Sequence, residues 1–169
     1  GELTQLRNKG WRASHGEIVV FIDDDTICEP TWLSSILLAF RDESVGGVTG
    51  PAIIREEKKA SRDIFKYKVA KWFYDWFFCE GKKDLPGHIA RSGAWTTGAS
   101  TQDCTYEGEV HFLEACNMAV RKDALQVVRG FSEDYRGVGD WSEPDLSYRI
   151  RQLAYRLLFV QGAKLYHEP

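Results

Sequence analysis

In the run Glu17-Ile18-Val19-Val20-Phe21-Ile22-Asp23-Asp24-Asp25, five apolar residues lead directly into three carboxylates. A short, continuous, β-branched apolar run is typical of a strand that is buried on both faces of a parallel or mixed sheet. Three adjacent carboxylates cannot lie inside a core, so they must emerge at the carboxyl end of this strand. Ligands of open α/β sheets bind at that end. The run therefore predicts an α/β fold with a binding site directly after the strand.

The patterns on either side predict a mixed sheet flanked by helices. Helices are expected over 31–41, with Trp32, Leu33, Ile36, Leu37 and Phe40 on the apolar face, over 122–129, closed by Gly130, and from Pro144 onward, with Leu146, Ile150 and Leu153 on one face. Strands are expected over 45–51, 109–121 and 156–160, and loops over 82–106 and 137–142. The 169 residues contain no internal repeat or linker, so residues 1–169 are expected to form a single domain.

A predicted helix over 62–81 carries much of the high aromatic content, which is 13% of the chain. Its apolar stripe at helical spacing consists of Phe65, Val69, Trp72, Phe73, Trp76 and Phe77. The stripe favours packing against the sheet. Two alternatives stay open: a dimer interface, and contact with a membrane surface, since Trp and Tyr favour interfaces and Lys66, Lys68 and Lys71 flank the aromatic residues.

Composition excludes several classes of protein. A net charge of -3 argues against a nucleic-acid binder that neutralises phosphates. No apolar run approaches the ~18 residues of a membrane span, and the first residues do not resemble a signal peptide. The four cysteines, Cys28, Cys79, Cys104 and Cys116, contain no Cys-x-x-Cys pair, so we expect reduced thiols rather than disulfides or a zinc site. These features predict a cytoplasmic location.

Two acidic motifs and one histidine are candidates for chemistry. Asp23 and Asp25 form a D-x-D pattern that can converge on a divalent cation, although a solvated, helix-capping turn explains the pattern equally well. Glu143 and Asp145 open a helix, where acidic residues usually complement the helix dipole, but one of them could act as a general base. His167 could join the carboxylate pair as a further metal ligand, whereas His111 is expected on a strand surface.

Taken in order, several blocks of the sequence resemble the family 2 glycosyltransferases. The blocks are Arg7-Asn8-Lys9-Gly10 with residues 16–25, residues 114–125 with 130–133, and residues 141–150 with 155–160 and Tyr166-His167. Each block is weak alone, but the ordered set is specific and covers most of residues 7–167. The resemblance implies a GT-A fold, which is Rossmann-like. It also implies transfer of a sugar, with inversion, from a nucleotide-diphosphate sugar to a glycan or lipid-linked acceptor.

The resemblance also implies roles for individual residues. Asp23 and Asp25 would hold a Mg²⁺ or Mn²⁺ ion bound to the donor diphosphate, with His167 as a further ligand. Asp24, Arg7 and Asn8 would lie near the donor. The catalytic base maps onto Glu143 with Asp145 as the alternative, because the family usually has Asp where Glu143 stands. Cys116, Asn117 and Trp141 map onto the acceptor side.

The chain departs from the family at its beginning. Members start with a strand-helix-strand unit that builds the nucleotide-base pocket, and no counterpart precedes Arg7. We therefore expect an N-terminally incomplete domain, in which strand 18–22 lacks parallel neighbours and exposes an apolar edge. A preceding segment, or a second copy in a homodimer, would supply the missing unit. The chain alone is not expected to bind donor tightly.

The leading prediction is a glycosyltransferase domain of polysaccharide or glycan assembly, in the cytoplasm or at the inner face of the membrane. The main alternative is a catalytically inactive fragment that serves as an assembly or binding domain. The run Phe21 to Asp25 also resembles the strand and D-x-D of aspartyl-phosphate phosphatases. Ile27 stands where that pattern has Thr or Val, and no later motif matches, so this class is disfavoured.

Overall fold

The computed structural model describes residues 2–54, 72–73, 76–77, 80–82, 85–97, 104–135, 137 and 141–167. The helices are α1 (Leu3–Ala13), α2 (Trp32–Ala39), α3 (Lys122–Val128) and α4 (Ser142–Arg151). The strands are β1 (Ile18–Ile22), β2 (Thr26–Cys28), β3 (Val45–Thr49), β4 (Ala52–Ile54), β5 (Pro86–Ile89), β6 (Trp95–Thr97), β7 (Gly108–Glu109), β8 (Asn117–Arg121), β9 (Arg156–Phe159) and β10 (Leu165–His167). Within the described part of the chain, no helix has the length and apolarity that crossing a membrane requires.

Five strands form a mixed sheet in the order β1-β8-β3-β9-β7. β3 and β9 run parallel, and the other three pairs are antiparallel. Side chains alternate along β8: Met118 and Val120 pack with α3 and α4, and Ala119 packs with α2 on the opposite face. The sheet is therefore covered by helices on both faces, which confirms the predicted fold class.

Strand β1 lies at one edge of this sheet. It pairs with β8 from Ile18 opposite Arg121 to Ile22 opposite Asn117, and no other described strand pairs with it. Val19 is buried, but Ile22 is 47% exposed. The prediction of a strand buried on both faces is wrong for this reason, whereas the expected exposed apolar edge is present in the described structure.

A smaller three-stranded sheet brings the last described residues to the acidic turn. β10 lies between β2, to which it is antiparallel, and β4, to which it is parallel. β2 begins directly after Asp25, and its Thr26 lies opposite His167. Strand pairing between distant parts of the chain therefore positions this histidine.

Two helices differ in detail from the predicted patterns. In α2, Ile36 and Phe40 are buried, but Leu33 and Leu37 are 50% and 48% exposed, so the buried stripe is narrower than the spacing suggests. Helix α4 begins at Ser142, two residues before Pro144. Proline is tolerated at this position because the first turn of a helix does not use the N–H group that proline lacks. Leu146 and Ile150 are buried as predicted, and Leu153, which lies beyond the helix, is partly exposed.

Segment 82–106 is not one continuous loop. It contains the antiparallel hairpin of β5 and β6, with Ile89 opposite Trp95. Strands of three and four residues are too short to show an alternating pattern, and Gly87 adopts a positive φ of 54° within β5. The predicted strand over 109–121 is two strands, β7 and β8, joined by residues 110–116.

His111 lies in the connection between β7 and β8 and not on a strand surface. Its Nδ1 atom is 3.0 Å from the Ile89 backbone N–H, which donates to it. Its ring lies 4.6 Å from that of His88. Burial lowers the pKa values of both histidines, and each is further lowered by a nearby positive charge. The pair therefore packs the hairpin against the core.

Most of the predicted aromatic helix lies outside the described residues, as do Cys79 and residues 138–140. Residues 72–73 and 76–77 are helical, and Trp72 stacks on Trp76 while Phe73 stacks on Phe77. These four side chains are 52% to 63% exposed. Packing into the core is therefore the wrong interpretation for these four residues. The three described cysteines are free thiols.

Candidate active site

Asp23, Asp25 and His167 form a cluster with the spacing of metal ligands. The His167 Nε2 atom lies 3.3 Å from Asp23 Oδ2 and 3.4 Å from Asp25 Oδ1, and one ligand atom from each residue lies within 4.8 Å of the others. The hydroxyl of Thr26 donates to the Asp23 carbonyl at 2.7 Å and holds the turn. Carboxylate oxygens suit hard cations such as Mg²⁺ and Mn²⁺, and an imidazole adds a nitrogen ligand of the kind that binds transition-metal ions. Asp24 is exposed and outside this cluster.

A cavity of about 390 Å³ lies between the hairpin and the start of α4, and no residue of the cluster lines it. It is lined by Trp95, Phe112, Leu113, Glu114, Ala115, Trp141, Glu143 and Pro144. Trp95 makes edge-to-face contacts with Phe112 and Trp141, at centroid distances of 5.8 and 5.7 Å. The walls are thus largely apolar and aromatic, with two carboxyl groups as the ionisable lining.

Trp141 reaches this cavity from a strained backbone position. Its φ of 68° lies in the left-handed region, which is unfavourable for a bulky side chain. It is the residue directly before α4, and its side chain is 46% exposed. Strained positions of this kind persist only where the surrounding structure holds them, and they concentrate at functional sites.

Glu143 lies in the first turn of α4 and is held by two polar contacts. Arg7 of α1 donates from Nη1 to Glu143 Oε1 at 2.7 Å, and the Ser142 hydroxyl donates to Oε2 at 3.1 Å. The side chains of Arg7 and Glu143 are 13% and 20% exposed. Arg7 also lies over the Phe131 ring, 5.4 Å from its centroid. The carboxylate is therefore oriented at the cavity wall by a cation that is itself fixed.

Asp145, the other candidate base, has a different environment. Arg149, one turn later on α4, donates to Asp145 Oδ2 from Nε at 3.0 Å and from Nη2 at 2.7 Å. The same guanidinium donates from Nη1 to the carbonyls of Val128 and Gly130, next to α3. Asp145 does not line the cavity. Its carboxylate thus fastens α4 to the end of α3.

Asn8 lies in the interior and makes four hydrogen bonds within the protein. Its Nδ2 donates to the Phe131 carbonyl and to Glu133 Oε1, each at 2.9 Å. Its Oδ1 accepts from Trp11 Nε1 at 3.0 Å and from the Phe131 N–H at 2.9 Å. These bonds use the full capacity of the amide. The structure therefore brings Arg7 to Glu143 and leaves no polar atom of the Asn8 side chain for a ligand.

Cys116 and Asn117 mark the start of β8. Asn117 is 1% exposed; its Oδ1 accepts from Trp32 Nε1 at 2.9 Å, and its Nδ2 donates to the Ala163 carbonyl at 2.7 Å. This amide joins β8 to α2 and to the segment before β10. Burial, and then the nearby carboxyl groups of Glu114 and Asp23, raise the pKa of the Cys116 thiol to about 12. The thiol is therefore neutral, and neither residue lines the cavity.

Glu114 is a residue of the cavity to which no role was assigned. Its Oε1 atom is buried and has no hydrogen-bond partner among the described residues. Burial, and then the charge of Glu143, raise the pKa of Glu114 from 4.5 to about 7. A signal was present in the sequence, since Glu114 is a single carboxyl group within the otherwise largely apolar run 110–120.

Comparisons with known proteins agree on family and fold. The model of glycosyl transferase family 2 matches residues 3–129. The search of curated proteins gave no significant match. Among solved structures, the crystal structure of GalNAc-T7 with UDP, GalNAc and Mn²⁺ is similar, with a TM-score of 0.68 and 14% sequence identity. The similarity covers 99% of this chain and 30% of that chain, so this chain spans under a third of that protein's length.

At this identity the structural similarity shows the fold, which is GT-A. The family match covers more than half of the chain, from α1 through the acidic turn to the end of α3. The chain therefore belongs to glycosyl transferase family 2.

Proposed function

We propose that this chain transfers a sugar, with inversion, from a nucleotide-diphosphate sugar to a hydroxyl group of a glycan or lipid-linked acceptor. The observation that carries the proposal is the pairing of two sites. A cluster of possible metal ligands lies at the end of β1, and a carboxylate held by Arg7 lies in a separate cavity. A donor site and an acceptor site with a base are what such a transfer needs.

The residues proposed to hold the cation are Asp23, Asp25 and His167. Their carboxylate oxygens and imidazole nitrogen would hold the Mg²⁺ or Mn²⁺ ion. GalNAc-T7, which shares the fold, has been crystallised with UDP and Mn²⁺. A divalent cation held there would supply positive charge that stabilises a leaving diphosphate.

Glu143 is proposed as the general base. Its carboxylate takes the proton of the acceptor hydroxyl while the hydroxyl oxygen attacks the anomeric carbon and the bond to the diphosphate oxygen breaks. Attack from the face opposite the leaving group inverts the anomeric configuration. Arg7 and Ser142 hold the two carboxylate oxygens of Glu143. The Arg149 contacts of Asp145 support Glu143, because Asp145 is committed to joining α4 and α3.

The aromatic cavity is proposed as the acceptor site, with Trp141 and Trp95 against the apolar faces of the acceptor. Cys116 and Asn117 support this site from the start of β8 rather than contacting the acceptor. Asn8 likewise supports Arg7 through α1 instead of contacting the donor. Dimer formation, membrane contact through the aromatic residues and the cellular location stay predictions.

An inactive assembly or binding domain is the second candidate function. The outer edge of β1, which pairs with no strand among the described residues, and the exposed Ile22 favour it, because such an edge can add a strand from a partner. Calorimetry with UDP-sugars and GDP-sugars in the presence of Mn²⁺ separates the two candidates. Donor binding by the full-length protein supports the enzyme, and its absence supports the assembly domain.

The decisive experiment is a panel of nucleotide-sugar donors tested for turnover with the full-length protein, together with Mn²⁺ titration by calorimetry. Glu143→Gln is expected to lower turnover at least ~100-fold and to leave Mn²⁺ binding unchanged. Asp25→Asn is expected to weaken Mn²⁺ binding. The exposed Asp134→Asn is the control and should match wild type in both assays. Unchanged turnover in both Glu143→Gln and Asp25→Asn would overturn the site assignment.

A further inference from the structure

We propose that Glu114 binds the acceptor, with its unpaired oxygen contacting a second hydroxyl group beside the one that Glu143 deprotonates. This inference rests on the proposed function and extends it to the class of acceptor. It assigns the cavity to a neutral sugar that presents two neighbouring hydroxyl groups.

The geometry of the Glu114 carboxyl group is the first argument. Glu114 lines the cavity, and its Oε1 atom is buried without a hydrogen-bond partner among the described residues. Buried side-chain oxygens nearly always have a hydrogen-bond partner, because leaving one unpaired costs free energy. A hydroxyl group of a ligand in the cavity would be that partner.

The backbone on either side of Glu114 is held by hydrogen bonds to other elements. The Leu113 N–H donates to the Ser147 hydroxyl oxygen at 3.1 Å, which ties the segment to α4. The Glu114 carbonyl accepts from the Asn117 N–H at 3.0 Å, at the start of β8. Both neighbours of Glu114 in the chain, Leu113 and Ala115, are buried.

The distribution of charge around the cavity is the second argument. Arg7 pairs with Glu143 and does not bond Glu114 in the described structure. The titratable groups that face Glu114 are Glu143 on α4 and the thiol of Cys116 two residues along the chain. The remaining residues that line the cavity are uncharged. No lining cation is therefore available to Glu114, and an anionic acceptor group would meet two carboxyl groups.

Protonation of the Glu114 carboxyl group lets it donate a hydrogen bond to the acceptor. The raised pKa of Glu114, about 7, keeps a proton on this carboxyl group in mildly acidic solution, so it can donate to a hydroxyl oxygen. Above that pH, Glu114 loses the proton and becomes a second negative charge beside Glu143. Acceptor binding is then expected to weaken as pH rises through about 7, while Glu143 keeps its ion pair with Arg7.

Steady-state kinetics of the full-length protein with Glu114→Gln and Glu114→Leu test this assignment. Glutamine keeps a donor of the same shape at every pH, so Glu114→Gln should hold the acceptor KM near its acidic wild-type value from pH 6 to 8.5. Leucine removes the contact, so Glu114→Leu should raise the acceptor KM about tenfold at pH 6, with the donor KM and Mn²⁺ affinity unchanged. A wild-type pH profile in Glu114→Gln, or an unchanged acceptor KM in Glu114→Leu, would overturn the inference.

A measurement without turnover separates this inference from the proposed function. In ¹³C NMR of the protein labelled at glutamate carboxyl carbons, one resonance should titrate near pH 7 and be missing from Glu114→Gln. Neutral methyl glycosides of glucose, galactose, N-acetylglucosamine and N-acetylgalactosamine are the probes. A shift of this resonance by at least one glycoside supports the assignment even where transfer activity is absent. A resonance that none of them shifts counts against it.

Discussion

Replacing Glu114 with Gln should change how the stability of the protein depends on pH. In the folded protein, burial and the charge of Glu143 raise the pKa of Glu114 to about 7, against 4.5 for an unperturbed carboxyl group. At pH values between 4.5 and about 7, the folded state therefore holds one proton more on Glu114 than the unfolded state does. The free energy of unfolding therefore falls as pH rises, by about 1.4 kcal/mol per pH unit.

The size of the effect follows from the two pKa values. Wild type should lose about 2.5 kcal/mol of stability between pH 5 and pH 8 through Glu114 alone, most of it below pH 7. Glu114→Gln has no proton to exchange at this position and loses none of it. Relative to wild type, the variant should therefore gain about 2.5 kcal/mol over the same range.

Urea unfolding at pH 5, 6, 7 and 8, followed by circular dichroism, measures this difference. Titration of the other groups cancels when the free energy of unfolding of wild type is subtracted from that of Glu114→Gln. Substitution of the exposed Glu17 by Gln is the matched control for the loss of a surface carboxyl group. A difference between Glu114→Gln and wild type that stays constant within about 0.5 kcal/mol would refute the buried, raised-pKa carboxyl group.

Three further predictions concern the support of the site. Asn8→Ala removes four internal hydrogen bonds and leaves the Trp11 indole N–H without its partner, so the free energy of unfolding in urea should fall by about 3–5 kcal/mol. A fall of less than about 1 kcal/mol would contradict this role of Asn8. Gly130→Ala should lower the free energy of unfolding by more than about 2 kcal/mol, because φ is +74° and the new Cβ would clash with Trp11 Nε1. The control Gly10→Ala, inside α1 with open space around it, should instead raise it by about 0.5–1 kcal/mol in the same thermal unfolding assay. Arg7→Met frees the proposed base, so kcat should fall about tenfold with Mn²⁺ affinity unchanged, and an unaltered kcat would show that the ion pair does not orient the base.

Local sequence patterns predicted the helices and strands correctly where the spacing of apolar residues along the chain was sufficient to identify them. The strand over 18–22, the helix over 122–129 and the buried positions Leu146 and Ile150 of α4 are all present. Prediction was poorer where burial depends on a distant neighbour. Leu33 and Leu37 are exposed although their spacing is helical, since spacing alone cannot show how much of α2 the sheet covers.

The candidate site shows the same division. The D-x-D pair follows a recognisable strand, and Glu143 opens a recognisable helix, so both were found from local sequence. Glu114 stands out in the sequence as a single carboxyl group in a largely apolar run, but only the fold shows that its oxygen is buried and unpaired among the described residues. The hairpin that supplies Trp95 was not predicted, since strands of three and four residues are too short to show an alternating pattern.

The amino-acid sequence by itself determined the family, the mixed α/β class and the two acidic motifs, because each depends on residue types at short, fixed spacing. The tertiary structure alone decided which of these groups meet. Pairing of β10 with β2 brings His167 to Asp23, although 144 positions separate them. Packing of α4 against α3 brings Arg149 to the carbonyls of Val128 and Gly130 and leaves Glu143 at the cavity. The physical reason is that hydrogen bonds, ion pairs and burial depend on distances across the fold, which strand pairing and helix packing set.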